Sequence, residues 1–344
     1  MKKSHVLLPV LLILLVLLAG CTPGNGQGDQ GAAPGAVRIA EQHGLAYLPL
    51  VIMQVEGLLE EELRREFAPD PAPAVEWRRT GNASAIREAM LAGHLDIGFM
   101  GIPPYLIGVD RGTGWRVFTG LSEAPLGLVT IREGLRSLDD LQPRDRIALP
   151  QPGSIQHILL AMASEDRYGD PRRFDDQLVS MGHPEGLTAL LAGRDVAAQF
   201  TAPPFLFSAL DHPGGQLLLE GRQAFGGSFT FIIGVAAPGW GEKPGEARLE
   251  QAFLRALDQA IDLAREVQAG EQQTLFRALS RVYGVEEPVL RRQLDYPGQR
   301  YGREVRGFDR FIGSMDRYGY LQGERVRDFL AGAAPQVLQT SHDS

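Results

Sequence analysis

Residues 89–106, AMLAGHLDIGFMGIPPYL, return one hundred positions later as residues 189–206, ALLAGRDVAAQFTAPPFL. The two stretches align over eighteen positions without a gap. Seven are identical: Ala89/Ala189, Leu91/Leu191, Ala92/Ala192, Gly93/Gly193, Pro103/Pro203, Pro104/Pro204 and Leu106/Leu206. Each copy parses alike. A helix ends at a Gly, which takes the left-handed C-cap without strain. An apolar run of buried-strand length follows. A small or polar residue then precedes Pro-Pro, which suits the first turn of a helix because no partner awaits the missing N–H there. Each copy therefore predicts helix, strand, loop, helix, with the loop at the carboxyl end of its strand, where open α/β sheets bind ligands. A second echo, Arg38-Ile39-Ala40 against Arg146-Ile147-Ala148, starts each unit with a strand. The spacing far exceeds a solenoid repeat. Two similar α/β lobes offering strand-end loops to one cleft account for it.

The rest of the chain fits around these units. Residues 37–41 read as a strand, 42–47 as a polar loop and 48–67 as a helix. A strand over 75–79 and a loop over 80–84 lead to a helix over 84–91, which Asn82 or Ser84 would cap through a side-chain oxygen. A strand near 117–121 runs into a crossing at 122–126. A short helix over 136–141, a strand at 146–149, a loop at 151–157, a long helix to about 168 and a strand at 177–180 precede the second copy. A strand at 216–219 and a return crossing at 225–229 lead to a strand over 230–236. Apolar residues at helical spacing mark helices over 247–268, 273–283, 287–294 and 307–318. That tail reads as packing, and no residue in it is assigned a function. The fold class is α/β, with two lobes, two crossing strands as hinge and a helical C-terminal part.

The chain starts with Lys2 and Lys3, then an apolar run over 6–19. A basic start, a short apolar core and small residues before a cut site make a secretory signal, and the run is short for a membrane span. Residues 22–36 are rich in Gly and nearly free of large apolar side chains, which gives a flexible linker. Cys21 is the one cysteine in 344 residues, so intramolecular disulfides, thiolate clusters and a catalytic thiol elsewhere are excluded. The formal charge is −8, and without Lys2 and Lys3 the remainder carries −10. Nucleic-acid binding needs a basic footprint and is excluded on that ground.

The candidate site is built from loops at strand ends. Helix starts after Gly44, Gly81, Gly101, Gly153 and Thr201 would turn unpaired N–H groups and partial positive charge toward one cleft, enough to hold an anion without a buried cation. Hydroxyls of Thr80, Ser84, Ser154, Thr201 and Ser228 would add donors, with Gln42, Asn82 and Gln156 on the same loops. Tyr47, Met100, Phe200 and Phe229 would wall an organic part. His43 and His157 sit on site loops as contacts or as partners of nearby backbone. Ser154 and His157 also permit an enzyme reading, but no G-x-S-x-G elbow surrounds Ser154. No metal-ligand spacing or cofactor motif is present.

Two resemblances carry these readings further. Leu18-Ala19-Gly20-Cys21 resembles the lipobox of bacterial lipoproteins, which implies that Cys21 is lipidated and forms the mature N-terminus. The loop at 42–47, MLAGHLDIG at 90–98, Pro152-Gly153-Ser154 with its helix, and AGRD with FTAPPF over 193–205 together resemble the solute-binding lipoproteins of bacterial ABC importers, in the nitrate, sulfonate, taurine and thiamine-precursor branch. The likeness covers about residues 37–330. It implies a periplasmic-binding-protein type II fold. The expected layout is a signal over 1–20, a linker over 21–36, a first lobe of 37–121 and 228–335, a second lobe of 122–227 and a disordered tail over 336–344. It also implies a monomer, exported and held on the outer face of the cytoplasmic membrane by lipid alone. Such a protein has no cofactor, binds a small solute and delivers it to an ABC permease. A receptor serving a membrane sensor is the alternative. Relatives often carry Trp-Asp-Pro where this chain has Phe200-Thr201-Ala202-Pro203, so that acid is absent here.

Overall fold

The computed structural model describes residues 35–193 and 195–323. The signal, Cys21, nearly all of the linker and the expected tail lie outside them. The chain begins with β1 (Ala36–Gln42), a single 3-10 turn at Leu45–Tyr47, α1 (Leu48–Glu56) and α2 (Leu58–Phe67). One helix was expected over 48–67. Gly57 breaks it: its φ of 66° and ψ of 30° are left-handed, and its N–H closes α1 on Met53 O before α2 starts afresh. Then come β2 (Ala74–Thr80), α3 (Ala83–Leu91), β3 (Ile97–Gly101), α4 (Ile102–Asp110) and β4 (Arg116–Glu123). Asn82 caps α3 by accepting from Ala85 N–H. A Cβ on Gly98 would lie 2.4 Å from Ile86 Cγ2, so α3 packs directly on β3.

Beyond residues 124–126 the chain enters a second sheet with β5 (Gly127–Thr130) and β6 (Ile147–Leu149). The helix expected over 136–141 is a 3-10 turn at Leu138–Asp140, closed by a reciprocal cap between Ser137 and Asp140. There follow α5 (Ile155–Tyr168), β7 (Leu178–Ser180), α6 (His183–Ala192), β8 (Ala198–Thr201), α7 (Phe205–Leu210), β9 (Gln216–Glu220) and α8 (Gly221–Phe225). The chain then returns through β10 (Ile232–Ala236), α9 (Pro244–Gln268), α10 (Gln273–Tyr283), α11 (Glu287–Leu294), β11 (Arg300–Tyr301) and α12 (Phe308–Arg317). Strands β5 and β11 and helix α8 have no counterpart in the sequence expectations. The two Pro-Pro turns also differ. Pro103 and Pro104 lie in the first turn of α4 as expected, but α7 starts only at Phe205, after Pro203-Pro204.

The strand orders explain the echo. The six-stranded sheet runs β11-β4-β10-β3-β1-β2 and the five-stranded sheet runs β7-β6-β8-β5-β9. In each, the first strand of the unit lies between its second and third, in parallel. In each, an antiparallel strand sits between the third and fourth: β10 between β3 and β4, and β5 between β8 and β9. The inserted strand is the first one laid down after a crossing. The two lobes thus share one topology, and the carboxyl ends of β1, β3, β6 and β8 face the same gap.

Helix α9 closes the outer face of the six-stranded sheet. Phe253 stacks on Phe99 at 6.0 Å and meets Phe118 edge-on at 5.6 Å. Buried Glu62 on α2 accepts from Arg255 and Gln259 of α9, each at 2.8 Å. The C-terminal segment ties the lobes together on the hinge side. Phe311 packs 4.8 Å from Phe225 and 5.6 Å from Phe229, Asp110 accepts from the N–H groups of Gln322 and Gly323, and Arg172 donates to Tyr318 O and Gly319 O.

Candidate functional site

A narrow void, about 20 Å³ inside and about 290 Å³ with the open space at its mouth, lies between the two sheets. Gln42, Tyr47, Ala83, Gly101, Pro104, Phe231 and Ile232 line it from the six-stranded side, and Pro150, Gln151, Ser154, Ile155, Gln156 and His183 from the other. The first turns of α3, α4, α5 and α6 each contribute a lining residue: Ala83, Pro104, Ile155 with Gln156, and His183. First-turn N–H groups have no acceptor within their own helix and carry partial positive charge. Ser154 takes one of them, from His157. The lobes meet beside the void. Leu45 N–H donates to Pro203 O at 3.0 Å, and Gly44 holds a φ of 129°, with a Cβ there meeting Pro203 O at 3.1 Å. Only glycine lets the two backbones approach in this way.

No Lys, Arg, Asp or Glu lines the void. Its titratable groups are Tyr47 and His183. Burial pushes the Tyr47 phenol well above its ordinary value, the charge of Glu41 adds to that, and a hydrogen bond with Gln42 opposes it. Burial pulls His183 down to about 4, and His43 acts in the same direction. Both groups are neutral at pH 7. His183 Nδ1 lies 2.7 Å from Thr201 Oγ1, and the ring stacks on Phe205 at 5.7 Å. Behind Gln42, burial pushes the Glu41 carboxyl up despite Arg79, whose Nη2 lies 2.7 Å away.

Of the residues expected at the site, Gln42, Tyr47, Gly101, Ser154 and Gln156 line the void. Thr201 stands one layer back, on His183. His43 is solvent-exposed and does not line the void; partial desolvation of its ring, then the charge of Arg79, lowers its pKa against the opposing effect of Glu185. Thr80 bonds Glu41 O and Asn82 O, Asn82 caps α3, and Ser84 accepts from Arg87, so these three serve local structure. Met100, Phe200 and Phe229 do not reach the void. Met100 and Phe200 are internal to their strands and fully buried, and Phe229 joins Phe225 and Phe311. Ser228 accepts from Arg222 outside the void. Gly153 packs against Ile107 and donates its N–H to His157 Nδ1. His157 Nε2 meets Asp175 at 2.9 Å. With both ring nitrogens engaged elsewhere, neither serves as a base for Ser154.

His183, Gln151, Pro150, Ala83, Pro104, Ile155, Phe231 and Ile232 were not anticipated. His183 carried a readable signal: it follows a strand and a Gly at a helix start, as the chosen loops do. The tail contributes as well. Tyr301 donates to Leu45 O at 2.9 Å and Tyr283 to Gly44 O at 3.5 Å, which braces the loop touching Pro203. Among the described residues no three His, Cys, Asp or Glu gather to hold a metal, and no helix is long and apolar enough to cross a membrane.

No protein-family model matches the sequence, and no curated protein matches it. Solved structures do resemble it. The alkanesulfonate-binding protein SsuA from Xanthomonas axonopodis pv. citri, bound to MOPS, superposes with a TM-score of 0.66 at 22% identity, over 85% of this chain and 96% of that one. The periplasmic nitrate-binding protein NrtA from Synechocystis gives 0.64 at 13% identity, over 88% and 91%. A Candida albicans protein with the generic periplasmic binding protein fold gives 0.64 at 11% identity, over 86% and 94%. The chain has the two-lobed periplasmic-binding-protein fold.

Proposed function

We propose that this chain captures a small polar or anionic organic solute between its lobes and delivers it, unreacted, to an ABC permease. The observation that carries the reading is the void itself: both lobes line it, four helices turn their first turns to it, and no charged side chain enters it. Such a site neutralises an anion with backbone N–H groups. Fold alone would not assign this function, but the sulfonate and nitrate binding of two structural neighbours agrees with it. In this reading the protein is an exported monomer tethered through a lipid on Cys21. Residues 21–36 form the linker, 37–121 and 228–335 one lobe and 122–227 the other. Closure follows from the preference of the solute for the state in which both lobes touch it.

The test is calorimetry against ethanesulfonate, taurine, nitrate and MOPS, with native mass spectrometry of protein purified from its own host. At least one oxyanion should bind and compact the protein in small-angle scattering. Taurine should bind more weakly than ethanesulfonate, because the void offers its ammonium no acid. A protein that carries no solute from its host, binds none of the four and never compacts would end the proposal.

A further inference from the structure

His183 is the one ring in the void able to donate or accept through nitrogen, and proton counting fixes which. Its Nδ1 lies 2.7 Å from Thr201 Oγ1, and this is the only hydrogen bond of that hydroxyl among the described residues. Thr201 is fully buried and His183 nearly so. The hydroxyl carries one proton, and an uncharged imidazole carries one, on one nitrogen. Were that proton on Nδ1, it would donate to Thr201 Oγ1 and the hydrogen of the buried hydroxyl would be left with no acceptor. An unsatisfied buried donor bears the full desolvation penalty. With the hydroxyl donating to Nδ1, the buried hydroxyl hydrogen is satisfied and the ring hydrogen moves to Nε2. That nitrogen has no protein partner among the described residues, and the ring lines the void. The backbone holds this arrangement: Gln199 Nε2 donates to His183 O at 2.9 Å, and the ring stacks on Phe205 with the planes 12° apart.

We infer that His183 presents Nε2–H to the void as a fixed, uncharged donor, that Thr201 is the positioning residue setting this tautomer, and that the solute places an acceptor oxygen against it. The last clause rests on the solute-binding reading; the tautomer does not. Burial keeps the ring neutral, so the donor keeps its sense across neutral pH. His43, outside the lining, is the titratable neighbour whose charge bears on it, and Tyr47 is the other titratable group of the void. A sulfonate, carboxylate or carbonyl oxygen fits this donor. A solute turning an N–H toward it does not.

The experiment uses the full chain at neutral pH. Ring-nitrogen NMR, with the His183 signals assigned by their loss in His183→Gln, should show a protonated Nε2 and a bare Nδ1 in the wild type and in Thr201→Ser. Thr201→Val keeps the shape of the side chain and removes the hydroxyl, so its ring should shift toward a mixture of tautomers. Calorimetry with ethanesulfonate should give Thr201→Ser within about 3-fold of wild type and Thr201→Val weaker by about 10-fold, the scale of one hydrogen bond to an ionised acceptor. A protonated Nδ1 in the wild type, or a valine variant unchanged in both tautomer and Kd, would overturn the inference. If ethanesulfonate fails to bind the wild type, the solute reading fails for that probe and the ring-nitrogen spectrum alone decides the tautomer.

Discussion

Acid should destabilise this protein through His183 by an amount that can be worked out beforehand. The group has a pKa of about 4 in the folded chain against an ordinary 6.5, chiefly because burial disfavours the charged ring. At pH 7 it is neutral in folded and unfolded chains, and its full contribution to stability is present. As pH falls below about 6.5 the unfolded chain takes up the proton first, so stability is lost until the folded pKa is reached. One pKa unit corresponds to about 1.4 kcal/mol. Integrated over the window, the loss is about 2 kcal/mol at pH 5 and about 3 kcal/mol at pH 4. Urea melts of the wild type and His183→Gln at about pH 7, 6 and 5 isolate the term. The variant loses the stacking on Phe205, but that offset does not vary with pH, and other titrating groups are common to both proteins. The stability gap should therefore narrow by about 2 kcal/mol between pH 7 and pH 5. Parallel curves would show that the folded ring takes up its proton as readily as the unfolded one, and the account of a neutral buried donor would fail.

Gly44→Ala should weaken solute binding by about 10-fold or more, since it forces a side chain into a φ of 129° against Pro203 O, strain on the order of 1–3 kcal/mol. Calorimetry should contrast it with Gly313→Ala in α12, where a Cβ meets nothing within 4 Å; equal affinity in both variants would remove the lobe contact from the account. Cys21→Ser should move the protein from the membrane fraction to the soluble fraction, and retention on membranes after that change would rule out the lipid tether.

The repeat made much of the fold legible. It marks β3 with β8, and its second echo marks β1 with β6, because these strands lie inside their sheets and keep largely buried, mostly apolar runs. Strand β5 escaped notice because Gly127-Leu128-Val129-Thr130 is four residues long and joins its sheet from the crossing, outside the repeated unit. Its pairing partners, β8 and β9, lie far along the chain, and no local pattern announces them. At the site, turn and helix starts were readable after Gly44, Gly101 and Gly153, since a glycine at a strand-end loop ahead of a helical stretch is a local signal. Met100 and Phe200 misled for a different reason. A strand end adjoining the cleft holds both core and cleft residues, and apolar chemistry alone does not say which way a side chain turns. The bracing of Gly44 and Leu45 by Tyr283 and Tyr301 joins residues more than two hundred positions apart, beyond any local signal.

The inserted antiparallel strands set an order of assembly. Every strand of the five-stranded sheet falls within residues 127–220, so that lobe can complete itself from one continuous segment. The six-stranded sheet has a slot between β3 and β4 that only β10 fills, and β10 ends at Ala236. A chain made from its N-terminus exposes two unpaired strand edges there until more than a hundred further residues have followed β4. Truncations ending before Ala236 therefore leave a lobe whose open edges invite pairing with other chains.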